Sequence, residues 1–200
     1  MQFAEDNLEL ISYDYDKEPY VETRLLQEKL AMYEGEGSMN VSVLRLPYIF
    51  GTMEGKIPLW SMFVDMPVTE GGAATITVNQ VGQAAISALE NGQHRRTYAL
   101  ATGYISYKDL YQKIIEELGQ TEKTILKPMS FEELEEAYKE DQDFTDKQGI
   151  EHGIHQVNML RANSVLFMPS TDVAFDELRV EKEDTEKVIR ETLRAANIQK

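Results

Sequence analysis

The stretch from Tyr20 to Gly51 leaves few arrangements open. It reads as a helix carrying Tyr20 and Arg24, then a Gly35-Glu36-Gly37 turn, then an apolar strand running Val41-Ser42-Val43-Leu44-Arg45-Leu46-Pro47-Tyr48-Ile49-Phe50-Gly51. A helix that turns on glycine into such a strand is the unit of an α/β layer fold, and helical and strand signals keep alternating downstream.

Residues i and i+4 share a helix face, so the Tyr20 hydroxyl and the Arg24 cation can point into one cleft. An unperturbed phenol titrates near pH ~10, and a nearby cation favours phenolate, moving the group toward general acid/base work. Such a pair also occurs on ordinary helices, so the spacing alone leaves both readings open.

The surroundings narrow the choice. The segments Pro19-Tyr20-Val21-Glu22-Thr23-Arg24-Leu25-Leu26-Gln27-Glu28 and Arg45-Leu46-Pro47-Tyr48-Ile49-Phe50-Gly51 are followed in order by Ile76-Thr77-Val78-Asn79-Gln80-Val81-Gly82, Thr97-Tyr98-Ala99-Leu100-Ala101 and Ile105-Ser106-Tyr107-Lys108-Asp109-Leu110. Over about Tyr20 to Gly119 this order resembles the second half of the extended short-chain dehydrogenase/reductases, the NAD(P)-dependent epimerases and dehydratases. The resemblance implies a partial Rossmann-like parallel sheet with a small α+β substrate lobe, and NAD or NADP as cofactor. It implies a nucleotide sugar or similar small hydroxyl or carbonyl compound as substrate. Tyr20 and Arg24 would be catalytic, Arg24 and Pro47 would meet the cofactor, and Tyr48, Phe50 and Trp60 would meet substrate.

Three departures from the family pattern stand out. Arg24 stands where the family has lysine, which keeps the charge but changes donor geometry and hydration. Tyr48 occupies a position where asparagine is common, and Asn79-Gln80 replaces an acidic pair. A larger departure is the lack of a glycine-rich first βα turn, which a dinucleotide site uses to hold pyrophosphate on backbone amides and a helix N-terminus. Glu34-Gly35-Glu36-Gly37 and Gly71-Gly72 do not fit that cradle. The chain is therefore expected to be a C-terminal half, inactive alone. The competing expectation is a noncatalytic binding or interaction protein with a degenerate epimerase-like fold. Leu25, Leu26, Leu30 and Met32 on the Tyr20 helix could then pack against a second copy in a homodimer. Ser12, eight residues before Tyr20, is a weaker candidate for a substrate-polarising hydroxyl.

Composition bounds the partners. The formal net charge of −15, without a basic stripe, argues against nucleic acid, whose affinity is built from cationic contacts to phosphate. Anionic substrates would need local cations, for which Arg24 and Arg45 are the candidates. Zero cysteine excludes disulfides and thiolate chemistry. No apolar run approaches the ~20 residues of a membrane span, and no signal-like segment is read, so a cytoplasmic protein is expected.

Downstream, the spacing predicts a helix over Val81 to Leu89, a strand over Thr97 to Ala101, and a helix capped by Ser106 with Leu110, Ile114, Ile115 and Leu118 inward and Gly119 at its end. Ser130-Phe131-Glu132-Glu133 is a capping box. The final helix, about Lys182 to Ala196, carries Val188, Ile189, Leu193 and Ala196 on one side and is expected to pack on the lobe. A soft boundary near Gly119 separates 1–119, sheet with a substrate loop, from 120–200, a mainly helical lobe. Asp141 to Asp146 lacks the glycine and the bidentate carboxylate of a calcium loop, and His152 with His155 lacks the metalloprotease spacing, so no metal is expected.

Overall fold

Leu46-Pro47 divides the long apolar strand in two and, with it, the sheet. In the computed structural model, which describes residues 19–51, 68–117, 128–140, 153–154, 157–158, 160–161 and 172–198, α1 spans Pro19–Glu34, β1 Ser42–Arg45 and β2 Tyr48–Phe50. The single strand expected over 41–51 is corrected by this break. Proline has no N–H to continue a ladder, so the chain leaves one sheet and enters the other.

β1 pairs in parallel with β4 (Arg96–Ala99), and β2 pairs in parallel with β3 (Gly72–Thr77), which in turn pairs antiparallel with β5 (Gly103–Ser106). The order β2-β3-β5 makes β3 the centre of its sheet. The architecture is the expected α/β one, a partial Rossmann-like arrangement, with an antiparallel edge that the sequence did not announce. All six residues of β3 are buried. Gly72 is needed there, because a Cβ would meet the Ile105 carbonyl oxygen at 2.3 Å and the Ser106 Cα at 2.7 Å.

The remaining helices are α2 (Val78–Asn91), α3 (Tyr107–Glu117), α4 (Phe131–Glu140), α5 (Asp172–Glu177) and α6 (Thr185–Ile198). α4 starts on the predicted capping box: Ser130 Oγ accepts from Glu133 N at 3.1 Å and Glu133 Oε2 accepts from Ser130 N at 2.8 Å. Ser106 caps α3 by accepting from Asp109 N at 3.0 Å. The boundary near Gly119 falls outside the described residues.

Successive side chains of β2 point to opposite faces. Phe50 packs with Ile105, Leu110, Ile114, Ile189 and Leu193, with Tyr48 against them, while Ile49 lies against Ile76, Tyr98, Leu100, Phe175 and Leu178 on the other side. The terminal helix was expected on the lobe. It packs instead on β2, β3 and α3, because Ile189 and Leu193 complete the cluster around Phe50. A third cluster joins Ala73 and Tyr107 to Phe131, Leu134, Val157 and Leu160, so α4 is fastened to the sheet.

Candidate functional site

The C-terminal ends of β2 and β3 lie side by side, Phe50 opposite Thr77, and it is outside such strand ends that open α/β sheets bind ligands. Gly51 leaves β2 at φ 149°, and a Cβ there would meet Val78 Cγ2 at 2.8 Å. The chain thus crosses directly over the start of α2, where only glycine fits.

That start is a dense polar joint. Thr77 Oγ1 accepts from Gln80 N and Gln80 Oε1 accepts from Thr77 N, both at 3.1 Å, completing a capping box. Gln80, fully buried, also accepts from Thr102 Oγ1 at 2.6 Å and donates from Nε2 to the Glu181 carbonyl at 3.1 Å. Glu183 accepts from the Thr77 hydroxyl and from the Asn79 amide, latching the segment before α6 onto α2. Asn79-Gln80, noted in the sequence as replacing an acidic pair, is therefore the hinge of this latch. The Thr77-Val78-Asn79-Gln80 spacing carried the capping-box signal in plain form.

Tyr20 sits in the first turn of α1, its side chain outside those described; Arg24 is exposed and donates to Gln27 Oε1 at 2.9 Å. Pro47 joins β1 to β2, Tyr48 is half-buried against two clusters, and Phe50, 6% exposed, fills the core. Ser12 and Trp60 lie outside the described residues, as do His152, His155 and residues 141–146. Arg45, expected as a cation for anionic substrates, is committed to Glu28: its Nε donates to Oε2 and its Nη2 to Oε1, each at 3.0 Å. The structure sets Tyr48 and Phe50 on β2 with Pro47 immediately before it, and ties the Arg24-bearing helix to β1. Among the described residues, no group of three or more His, Cys, Asp or Glu is placed to hold a metal ion.

A concavity of about 570 Å³ opens between β5, α3 and the start of α6, with Tyr104, Asp109, Lys113, Glu186 and Arg190 in its walls. Lys113 is bound to Glu186 at 2.7 Å and Arg190 to Glu116 at 3.4 Å, so both cations of its lining are paired. The hydrogen bond from Lys113, then its charge, holds the Glu186 carboxyl below its ordinary range. A carboxyl lowered in the folded state stabilises above its unfolded pKa, and that contribution is lost as pH falls through the folded value. Partial burial raises the Tyr104 phenol.

No family model matches the sequence, and no curated protein does. Solved structures do. A nucleoside-diphosphate-sugar epimerase from Pseudomonas aeruginosa aligns at TM-score 0.64 and 16% identity, over 94% of this chain and 60% of that one. The chain has a partial epimerase-like fold. UDP-glucose 4-epimerase from Thermotoga maritima, solved with UDP-glucose, aligns at TM-score 0.59 and 15% identity over 91% and 54%. dTDP-glucose 4,6-dehydratase from Bacillus anthracis, solved with NAD, aligns at TM-score 0.59 and 16% identity over 90% and 52%. At such identities the likeness carries the fold alone. This chain spans between about half and three fifths of the length of these structures. Among the described residues no helix is long and apolar enough to cross a membrane.

Proposed function

We propose that this chain supplies the C-terminal, substrate-binding portion of an NAD(P)-dependent epimerase/dehydratase-like oxidoreductase acting on a nucleotide sugar or a similar hydroxyl or carbonyl compound. The observation that carries the reading is the juxtaposed β2 and β3 ends under Gly51, with the Tyr20–Arg24 helix fastened to the adjoining strand, in an epimerase-like fold. Tyr20 would exchange a proton with the substrate, Arg24 would orient Tyr20 and the cofactor ribose, and Pro47 would flank the nicotinamide. Tyr48 and Trp60 would face substrate, with Phe50 backing Tyr48 from the core.

The described glycines do not suit the pyrophosphate end of the cofactor. Gly35 and Gly37 follow the C-terminal end of α1, where the helix dipole is negative and a Cβ on Gly35 would strike Val41, so they form no pyrophosphate cradle. NAD(P), when bound, accepts and returns hydride; the work of this chain's own side chains is to position and move a proton.

A second reading rests on the outer face of α1. Leu26, Leu30 and Tyr33, 55%, 51% and 70% exposed, recur at helical spacing and form an apolar stripe of the kind that marks association. In this reading the chain is a noncatalytic interaction module, and the stripe packs on a second copy. Sedimentation of the parent as a dimer, and of Leu26→Glu with Leu30→Glu as a monomer, is the expected result; a monomeric parent at high concentration would refute it.

Titration of NADH and NADPH, followed by nicotinamide fluorescence, separates the two readings. The oxidoreductase reading expects saturable binding that is lost in Arg24→Ala and largely kept in Tyr20→Phe. Absence of binding at millimolar cofactor would remove the half-site from this chain and leave the interaction module.

A further inference from the structure

We infer that Glu28 and Arg45 form a strut that sets where Tyr20 and Arg24 stand relative to Pro47 and Tyr48, making Glu28 a positioning residue. The inference rests on the oxidoreductase reading of that site. On α1, Tyr20, Arg24 and Glu28 follow one another at four-residue steps, so they form one stripe that drifts by only about 40° per step. A rise of about 1.5 Å per residue places Glu28 about 6 Å along the axis from Arg24. Whatever fixes Glu28 therefore fixes the stripe.

Three hydrogen bonds fix it. Arg45 reaches both carboxylate oxygens in a fork, and Thr97 Oγ1 on β4 adds a bond of 2.9 Å to Oε1. The Arg45 and Glu28 side chains are 15% and 18% exposed. A bidentate pair constrains direction as well as distance, and partial burial spares it the screening that empties most surface ion pairs of consequence. By contrast, Arg95–Glu36 also bridges to the segment after α1, but at 52% and 63% exposure and through one bond it holds little.

The strand end of the strut is equally well placed. Arg45 closes β1, and only Leu46 separates it from Pro47, whose restricted φ carries the chain into Tyr48. The helix bearing the proton-transfer candidates thus shares a cross-link with β1, two residues before the Pro47-Tyr48 segment that bears the nicotinamide and substrate candidates. The carboxylate acts through Arg45 and Thr97, not on the reacting atoms.

A shortened carboxylate tests position apart from stability. Glu28→Asp keeps the charge but recedes by one methylene, so α1 must shift to restore the fork. The expected result is unfolding close to the parent with NADH affinity weakened about tenfold, since misplacement of about an ångström at a reacting centre is costly. In this cysteine-free chain, spin labels on Lys29→Cys and Glu90→Cys, both exposed, report the helix-to-α2 distance without any ligand. A shifted or broadened distance in Glu28→Asp supports the strut. Should that variant not fold, Thr97→Val, which removes one bond of the three, is expected to move the same distance less. If the variants leave both the distance and the binding as in the parent, the strut is wrong while the oxidoreductase reading stands. If the parent itself binds no cofactor, that reading falls and the label distance alone decides the strut.

Discussion

Replacing Gln80 by alanine is expected to lower unfolding stability by about 3–5 kcal/mol, read from urea denaturation monitored by circular dichroism. The magnitude follows from what the amide leaves behind. Gln80 is fully buried and bonds to Thr77 N, Thr102 Oγ1 and the Glu181 carbonyl, so its removal strands a donor, a hydroxyl and an acceptor. Each stranded buried group costs about 1–3 kcal/mol, offset where water can enter. Gln80→Glu sharpens the test, because a carboxylate still accepts from Thr77 and Thr102 but sets a charge against the Glu181 carbonyl. Burial raises such a carboxyl, so the variant should be more stable below the raised pKa, where the protonated group donates, and lose stability as pH rises through it. A Gln80→Ala variant within about 1 kcal/mol of the parent would show that the joint is solvated and carries no latch.

That joint also shows where the sequence was legible and where it was not. Local signals translated directly: Ser130 and Glu133 make the reciprocal bonds their spacing demands, and Ile114, Leu110, Ile189 and Leu193 lie inward as their periodicity requires. The Thr77-to-Gln80 spacing is as clear, although the family resemblance at Asn79-Gln80 points to chemistry instead of capping. β3 carried no such signal. Gly72-Ala73-Ala74-Thr75-Ile76-Thr77 is covered on both faces, so no alternation marks it, and glycine and alanine are poor strand formers. The division of the apolar strand at Pro47 depends on partners far along the chain, β4 for one half and β3 for the other. The stripe of α6 was readable, whereas its destination was not, because an apolar face does not name the face it will meet. The same holds at the candidate site: the spacing of Tyr20 and Arg24 is a local fact, and the Arg45 fork that anchors their helix is a tertiary one.

The destination of the C-terminal segment can be put to a direct test. Phe175→Ala is expected to cost about 3–5 kcal/mol, the usual penalty for removing a buried aromatic side chain. Phe175 is 1% exposed and packs among Ile76 of β3, Ala84 of α2, and Tyr98 and Leu100 at β4, so its cavity would open at the centre of the sheet face. Leu89→Ala, at 90% exposure on α2, supplies the control and should change stability by less than about 0.5 kcal/mol. α5 has six residues, too few to hold a helix without docking, so loosening Phe175 should also slacken the chain that follows. That chain presents the Glu181 carbonyl to Gln80 and the Glu183 carboxylate to Thr77 and Asn79. Phe175→Ala and Gln80→Ala should therefore be non-additive, the double variant losing less than the sum by about 0.5–3 kcal/mol. Additive losses would mean that the aromatic plug and the polar latch hold the C-terminal segment independently. A cost for Phe175→Ala below about 1 kcal/mol would detach residues 172–180 from the core altogether.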